Sequence, residues 1–238
     1  MSEPKYKRVL VKISGEALAG GDKSRVLDFT IMETIAAVIK EITDMGVQLS
    51  IVVGAGNIWR GARDGGGKME RTRADHMGML ATSVNCLALA DVLEQAGIPV
   101  RVQTAIEMRT IAEPYVRGRA VRHMEKGRVV IFGCGTGNPF FSTDTAAVLR
   151  GAEIDADVVL LAKNVDGVYD DDPNKNPKAK KYESMSPNDF LRNNLAAMDA
   201  TAASLSLDNH IPVILFALKD PYNIKRAIMG EKVGTLVM

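Results

Sequence analysis

Two kinds of hydrophobic run alternate along the chain. Short, nearly unbroken apolar blocks occupy residues 9–13, 47–53, 98–102, 129–132, 158–161 and 212–217. Between them the apolar positions are spaced for helices. Ile31, Ile35, Val38 and Ile42 share one face of a helix expected over 30–45, and Gly46 suits its end. Met77, Leu80, Val84, Leu87 and Leu93 mark a long helix over 69–95, ended by Gly97. Further helices are expected over 112–126, near 144–151 and within 188–209, the last opened by a Ser186-Pro187 cap. Asp220-Pro221 opens a final helix that ends near Gly230, and residues 235–237 suit an edge strand. Apolar blocks that do not alternate with polar residues belong to strands buried on both faces, as in a mostly parallel sheet covered by helices. The expected fold is therefore α/β, a three-layer αβα sandwich. No linker, repeat or low-complexity tract interrupts it, so one domain over 1–238 is expected.

Composition narrows the function classes. The 238 residues carry 30 Lys plus Arg against 29 Asp plus Glu, a net charge of +1. Such a balance gives no overall electrostatic reason to bind nucleic acid or an anionic membrane. Lys175, Lys178, Lys180 and Lys181 form a local basic run, but it follows Asp170, Asp171 and Asp172 and reads as a solvated loop of mixed charge. Cys86 and Cys134 lie in apolar surroundings and read as buried thiols of a reducing compartment, too few for a disulfide framework. The polar start does not resemble a signal peptide, and no apolar run is taken for a membrane span. A cytoplasmic protein is expected.

Candidate chemistry sits where the strands end, the edge at which open α/β sheets bind ligands. The first strand ends in Lys12 and Ser14-Gly15, the second in Gly54, Gly56 and Asn57, and the fourth in Gly133, Gly135 and Gly137. Glycine lets backbone amides approach an anion with no Cβ in the way, and nearby helix N-termini add donors. Three such loops with Lys12 and Arg60 beside them point to a polyanionic ligand. It is not held by a P-loop: before Gly67-Lys68, Ala62 replaces the first glycine, and Met69 replaces the hydroxyl residue. Nor is there a dinucleotide fingerprint, since Trp59 and Asn138 stand where the third glycine belongs after Gly54 and Gly133. His76, His123 and His210 are too scattered for a zinc site or a triad. Phosphoryl transfer asks mainly for positioning and fixed cations, which Lys12 and Arg60 would supply. Asp144, behind Ser142-Thr143 at a helix start, reads equally as a cap or as an organiser of magnesium.

Five blocks carry a family resemblance: Lys12-Ile13-Ser14-Gly15-Glu16-Ala17-Leu18, Gly54-Ala55-Gly56-Asn57-Ile58-Trp59-Arg60-Gly61, Asp75-His76-Met77-Gly78-Met79-Leu80-Ala81-Thr82, Thr136-Gly137-Asn138-Pro139-Phe140-Phe141-Ser142-Thr143-Asp144 and Val165-Asp166-Gly167-Val168-Tyr169. In this order they resemble the bacterial UMP kinases, a branch of the amino-acid-kinase family, over nearly the whole chain. The resemblance implies transfer of the ATP γ-phosphoryl group to UMP, with magnesium accompanying ATP. It implies an acceptor-side region over about 1–150 and an ATP-side region over about 151–238. Lys12, Ile13, Ser14, Gly15, Gly56 and Arg60 would hold the ATP phosphates, and Asn164, Tyr169 and Asp172 would frame adenine and ribose. Ala55, Asp75 and the stretch from Thr136 to Thr143 would hold UMP. Lys12, Arg60, Asp144 and Asp199 would be the catalytic set, with Asp144 and Asp199 organising magnesium and the cations. Family members are typically hexamers, trimers of dimers, and inhibition by UTP is common among them, so the resemblance implies a homohexamer inhibited by UTP. The segment 20–28 lacks the Gly-Phe-Gly pattern that the family ties to activation by GTP, so GTP activation is not carried over. Ala55 also replaces the middle of three glycines common in relatives, a change that still permits backbone contact. Two alternatives predict different outcomes. A relative acting on N-acetylglutamate, aspartate or carbamate would consume those with ATP, and a nucleotide sensor on the same fold would bind without turnover.

Overall fold

The computed structural model describes residues 3–21, 24–65, 67–173 and 175–238, apart from the side chain of residue 62. Its centre is a nine-stranded sheet in the order β4-β3-β5-β2-β1-β6-β8-β9-β7. The strands are β1 (Arg8–Ile13), β2 (Gln48–Val53), β3 (Val100–Thr104), β4 (Glu113–Pro114), β5 (Val129–Gly133), β6 (Val158–Lys163), β7 (Ser184–Met185), β8 (Val213–Ala217) and β9 (Thr235–Val237). All neighbours run parallel except β8 and β9. The helices are α1 (Gly15–Leu18), α2 (Phe29–Asp44), α3 (Gly61–Asp64), α4 (Arg71–Gln95), α5 (Arg117–Glu125), α6 (Thr143–Glu153), α7 (Pro187–Arg192), α8 (Ala200–Asp208) and α9 (Tyr222–Ile228).

The period-two alternation of side chains sorts each strand between two cores. Val9, Val11 and Ile13 of β1 pack in one core with Leu49, Ile51 and Val53 of β2, Ile35 and Ile39 of α2, Leu89 of α4 and Ile224 of α9. Leu10 packs in the other with Val52, Val159 and Leu161, against Ala147 of α6 and Phe190 of α7. Both faces of the inner strands are thus covered, which is why their sequences show no polar alternation. The α/β sandwich expected from the sequence is the observed architecture.

Five expectations are corrected. The third strand begins at Val100 rather than at residue 98. The helix expected over 112–126 begins only at Arg117, because Glu113 and Pro114 pair with Gln103 and Thr104 as a short edge strand. Proline disfavours a helical residue before it and is tolerated at a sheet edge. Residues 235–237 form a strand, but not at the edge: β9 lies between β8 and β7. Finally, Met77, Leu80, Val84 and Leu87 of α4 do not face the core; they are 40%, 48%, 51% and 39% exposed. The buried face of α4 is built instead from Thr82, Asn85, Cys86, Leu89 and Leu93. With apolar residues on both faces, α4 is also long and apolar enough to cross a membrane by length and composition, contrary to the sequence reading, although half of that stretch is buried in the fold.

Candidate active site

The strand parity that builds the cores also aims the cations. Lys12 follows Leu10 on β1, and Lys163 follows Leu161 on β6, so both side chains leave the sheet on the α6 face. β1 and β6 are adjacent, with Lys12 opposite Leu161. Asp144, in the first turn of α6, receives both: Lys12 Nζ lies 3.1 Å from Oδ1, and Lys163 Nζ donates to Oδ2. Ser142, not Asp144, caps the helix, its hydroxyl accepting from the amides of Asp144 and Thr145. That frees the Asp144 carboxylate for the lysines and sets aside the cap role that the sequence left open.

Two of the three groups are nearly dry, and Lys163 is partly buried. Lys12 is 8% and Asp144 7% exposed. Burial alone would raise the Asp144 carboxyl, but the Lys12 and Lys163 ammonium groups more than offset it and hold it below the usual aspartate range. Burial pushes Lys163 down from the usual lysine value, and repulsion by Lys12 adds to this against the pull of Asp144. Nothing in the residues around it had marked Lys163; its parity with Leu161 on a strand beside β1 is the one signal that could have done so.

Two cavities lie near this cluster: Lys163 lines one, Thr143 beside Asp144 lines the other, and Lys12, Arg60 and Asp144 line neither. One, of about 240 Å³, is lined by Ala55, Asp75, Thr136, Asn138, Phe141 and Thr143, all acceptor-side candidates. Ser142 lines it as well, and so do Gly135, one of the strand-end glycines, and Trp59 and Met79, to which sequence reasoning gave no role. Gly137, Pro139 and Phe140 belong to the same loop but not to the lining. The second cavity, of about 700 Å³, is lined by Glu16, Gly56, Lys163, Asn164 and Lys219 among others. Ala55 and Gly56, adjacent in sequence, therefore face different cavities. A third, wider cavity of about 870 Å³ lies between α4 and the β3–β4 edge, lined by Arg101, Glu107 and Ile111. Its size gives it no claim on the chemistry, because none of the candidate site residues lines it.

The loops that frame the cavities are locally determined. Ser14 caps α1, and a Cβ on Gly15 would come within 2.1 Å of Asn57 Oδ1 and 2.7 Å of the Gly54 carbonyl, so the first two strand-end loops touch only because glycine stands there. Ile13 is fully buried beneath them. Asn85 ties the pair together, donating to Gly54 O at 2.8 Å and to Asn57 Oδ1 at 2.9 Å. Arg60 folds back over Gly56 and forms an ion pair with Glu16, whose other oxygen accepts from Asn164 Nδ2 at 3.4 Å. Asp75 accepts from Arg71 Nε and from the amide of Phe140, each at 2.8 Å, which pins the acceptor loop to α4.

Other candidates lie further out or hold structure. Asp199 caps α8, accepting from the amide of Ala202, and also accepts from the hydroxyls of Ser142 and Thr145. It thus joins the starts of α6 and α8 beside the lysine cluster rather than contacting a cation. Tyr169 and Asp172 are outside both cavity linings; Tyr169 donates to Asp166 at 2.8 Å, and Lys175 lies 3.4 Å from Asp172. Residues 22 and 23 of the 20–28 segment lie outside the described residues.

Both Asp144 oxygens are taken by lysines, and no group of three or more His, Cys, Asp or Glu suited to a metal occurs among the described residues. The residues present do not fit a metal held by protein side chains at Asp144.

Comparison with known proteins matches this framework. A model described as the amino acid kinase family matches residues 7–218. A solved UMP kinase from Bacillus anthracis superimposes with a TM-score of 0.93 at 42% identity, covering 98% of this chain and 96% of that one. One from Ureaplasma parvum gives 0.91 at 38% identity, covering 98% and 99%. A uridylate kinase from Archaeoglobus fulgidus gives 0.75 at 28% identity, covering 97% and 99%.

Proposed function

The chain belongs to the amino acid kinase family, and from that premise we propose that it transfers the γ-phosphoryl group of ATP to UMP, yielding ADP and UDP for pyrimidine nucleotide synthesis. The observation that carries this is the Lys12–Asp144–Lys163 cluster beside two cavities of unequal size, the larger lined by Lys163 and the smaller by Thr143, which adjoins Asp144. The smaller cavity takes UMP, and the larger takes ATP. The similarity to UMP kinases of 42% and 38% identity over nearly the full chain supports UMP over a carboxylate or carbamate.

In the transfer a phosphate oxygen of UMP attacks the γ-phosphorus in line. The new P–O bond forms as the bond to the β–γ bridging oxygen breaks, and the bonding pair leaves with ADP. A phosphate monoester is largely dianionic at neutral pH, with its second pKa near about 6. It needs no protein base to become a nucleophile, which suits a centre built from two lysines. The ammonium groups of Lys12 and Lys163 meet charge on the equatorial oxygens, in a dry setting where such contacts count most. Asp144 pairs with both ammonium groups and holds them in place. Arg60, more exposed, adds a cation at the mouth between the two nucleotides. Magnesium enters with ATP as part of the substrate.

A homohexamer in the cytoplasm completes the proposal. The apolar stripe of Met77, Leu80, Val84 and Leu87 supports self-association, and sedimentation of the purified chain measures it. The test of the reaction is ADP release with ATP and magnesium across nucleoside monophosphates, N-acetylglutamate, aspartate and carbamate. UMP is expected to be the best acceptor. Preference for any other, or binding of nucleotide without ADP release, refutes the proposal.

A further inference from the structure

The acceptor loop after β5 has an unusual backbone. Cys134 and Phe140, neither of them glycine, have φ of 63° and 70°, and Gly135 and Gly137 have φ of 57° and 81°. Left-handed non-glycine residues persist only where their surroundings over-determine them. Two restraints come from α4: Thr82 Oγ1 accepts from the Cys134 amide at 2.7 Å, and Asp75 accepts from the Phe140 amide. A third comes from the opposite side. Arg150, on α6 and only 5% exposed, reaches the loop carbonyls, with Nη2 at 3.3 Å from Gly135 O and 3.5 Å from Thr136 O.

A buried guanidinium must be paired, and this one is held on every side. Its carbon lies 3.9 Å from the centre of the Tyr115 ring, and Nη1 donates to Glu153 Oε2 at 2.5 Å. The Tyr115 hydroxyl donates to the same oxygen at 2.6 Å, and Phe132 braces the Tyr115 ring edge-on. The planar fork of arginine can stack on a ring, pair with a carboxylate and donate to carbonyls at once, which a lysine ammonium cannot. A trans peptide is planar, so its N–H and C=O point opposite ways. Drawing the Gly135 carbonyl toward Arg150 turns the Thr136 N–H away from it, and Gly135 and Thr136 line the acceptor cavity.

We propose that Arg150, locked by Tyr115 and Glu153, is a positioning residue that sets the Gly135–Thr136 backbone for acceptor recognition. The proposal rests on the reading of the smaller cavity as the acceptor site. Arg150 touches no reacting atom; it acts through the loop.

The test compares wild type with R150K in the full chain by two measurements. Hydrogen–deuterium exchange reads the amides of 134–141 without any ligand. Steady-state kinetics reads KM for ATP and for the acceptor that the wild type uses best. Faster exchange confined to that loop is expected, with acceptor KM raised about tenfold and ATP KM unchanged within about twofold. Unchanged loop exchange, or an equal rise in both KM values, overturns the proposal. Should R150K fail to fold, Y115L removes the stacking face without touching the loop; the same pattern at smaller amplitude is expected, and its absence overturns the proposal. Failure of the UMP assignment would appear separately, in the acceptor used by the wild type, while loop exchange still judges Arg150.

Discussion

Removing the charge of Asp144 separates the electrostatics of this centre from its packing. At 3.1 Å the Lys12–Asp144 pair gains about 5 kcal/mol of gross attraction at an effective dielectric of about 20, offset by the desolvation of both ions. What matters for Asp144→Asn is the reverse situation: two ammonium groups remain, buried and repelling one another. Breaking a buried pair by removing one partner costs about 3–5 kcal/mol, and here one carboxylate serves two cations, so the upper part of that range is expected. Urea unfolding should move its midpoint down by on the order of 1 M or more. Turnover should fall by at least about a hundredfold, the scale for losing one charge-stabilising contact. The companion variant Lys12→Met/Asp144→Leu/Lys163→Met replaces all three groups by apolar side chains of similar volume. It should recover wild-type stability within about 1 kcal/mol, because apolar replacement of buried ions is often neutral, and it should have no kinase activity. A triple variant as unstable as Asp144→Asn would show that packing, not charge, holds this region. A triple variant that still turns over would remove the lysines from the reaction.

The other predictions concern single contacts. Arg60→Ala should lower turnover at least about tenfold while the urea midpoint barely moves, since the side chain is half exposed and its ion pair is with Glu16 near the surface; wild-type turnover would remove Arg60 from the mechanism. Asp75→Asn keeps the shape but loses the charge that binds Arg71 and the Phe140 amide. It should raise KM for UMP by about tenfold and leave KM for ATP nearly unchanged, and equal rises would contradict the division between the cavities. For pH, the folded Asp144 carboxyl lies below its ordinary value of 3.8. Its contribution to stability is therefore complete above that value and is lost as the pH falls through the lower folded pKa. Unfolding free energies measured downward from pH 5 should show this acid limb in the wild type and a shallower one in Asp144→Asn.

Much of the fold could be read from the chain because its inner strands are buried on both faces, and burial of that kind leaves unbroken apolar blocks. The same reasoning failed where the sheet meets solvent. β4 has two residues and β7 has two, too few to show any period, and Glu113-Pro114 was absorbed into a helix. On α4 the periodicity was real but its direction was not legible: an apolar stripe specifies a face, not what covers it. At the site, the glycine loops, Lys12, Asp75 and Asp144 were visible because they stand at strand ends or in distinctive motifs. Lys163 and Arg150 were not, since each matters through a partner distant in sequence, Asp144 for one and the carbonyls of Gly135 and Thr136 for the other.

The placement of the two cavities constrains the chemistry more than any single residue does. Ala55 lines one and Gly56 the other, so at this point the partition between acceptor and donor is one peptide thick. That partition lies at the end of β2, and β1 beside it supplies Lys12, while β6 on the far side of β1 supplies Lys163. Parallel strands bring these ends to one rim, and shared side-chain parity turns both lysines toward α6, whose first turn supplies their common carboxylate. A small group carrying dense negative charge is what such a junction can stabilise as it passes from one side to the other. A carrier residue on the enzyme would have to reach both cavities in turn, whereas fixed cations near the partition need not move. The geometry therefore favours direct transfer between two bound nucleotides, with the protein's contribution being alignment and a charge environment set before either arrives.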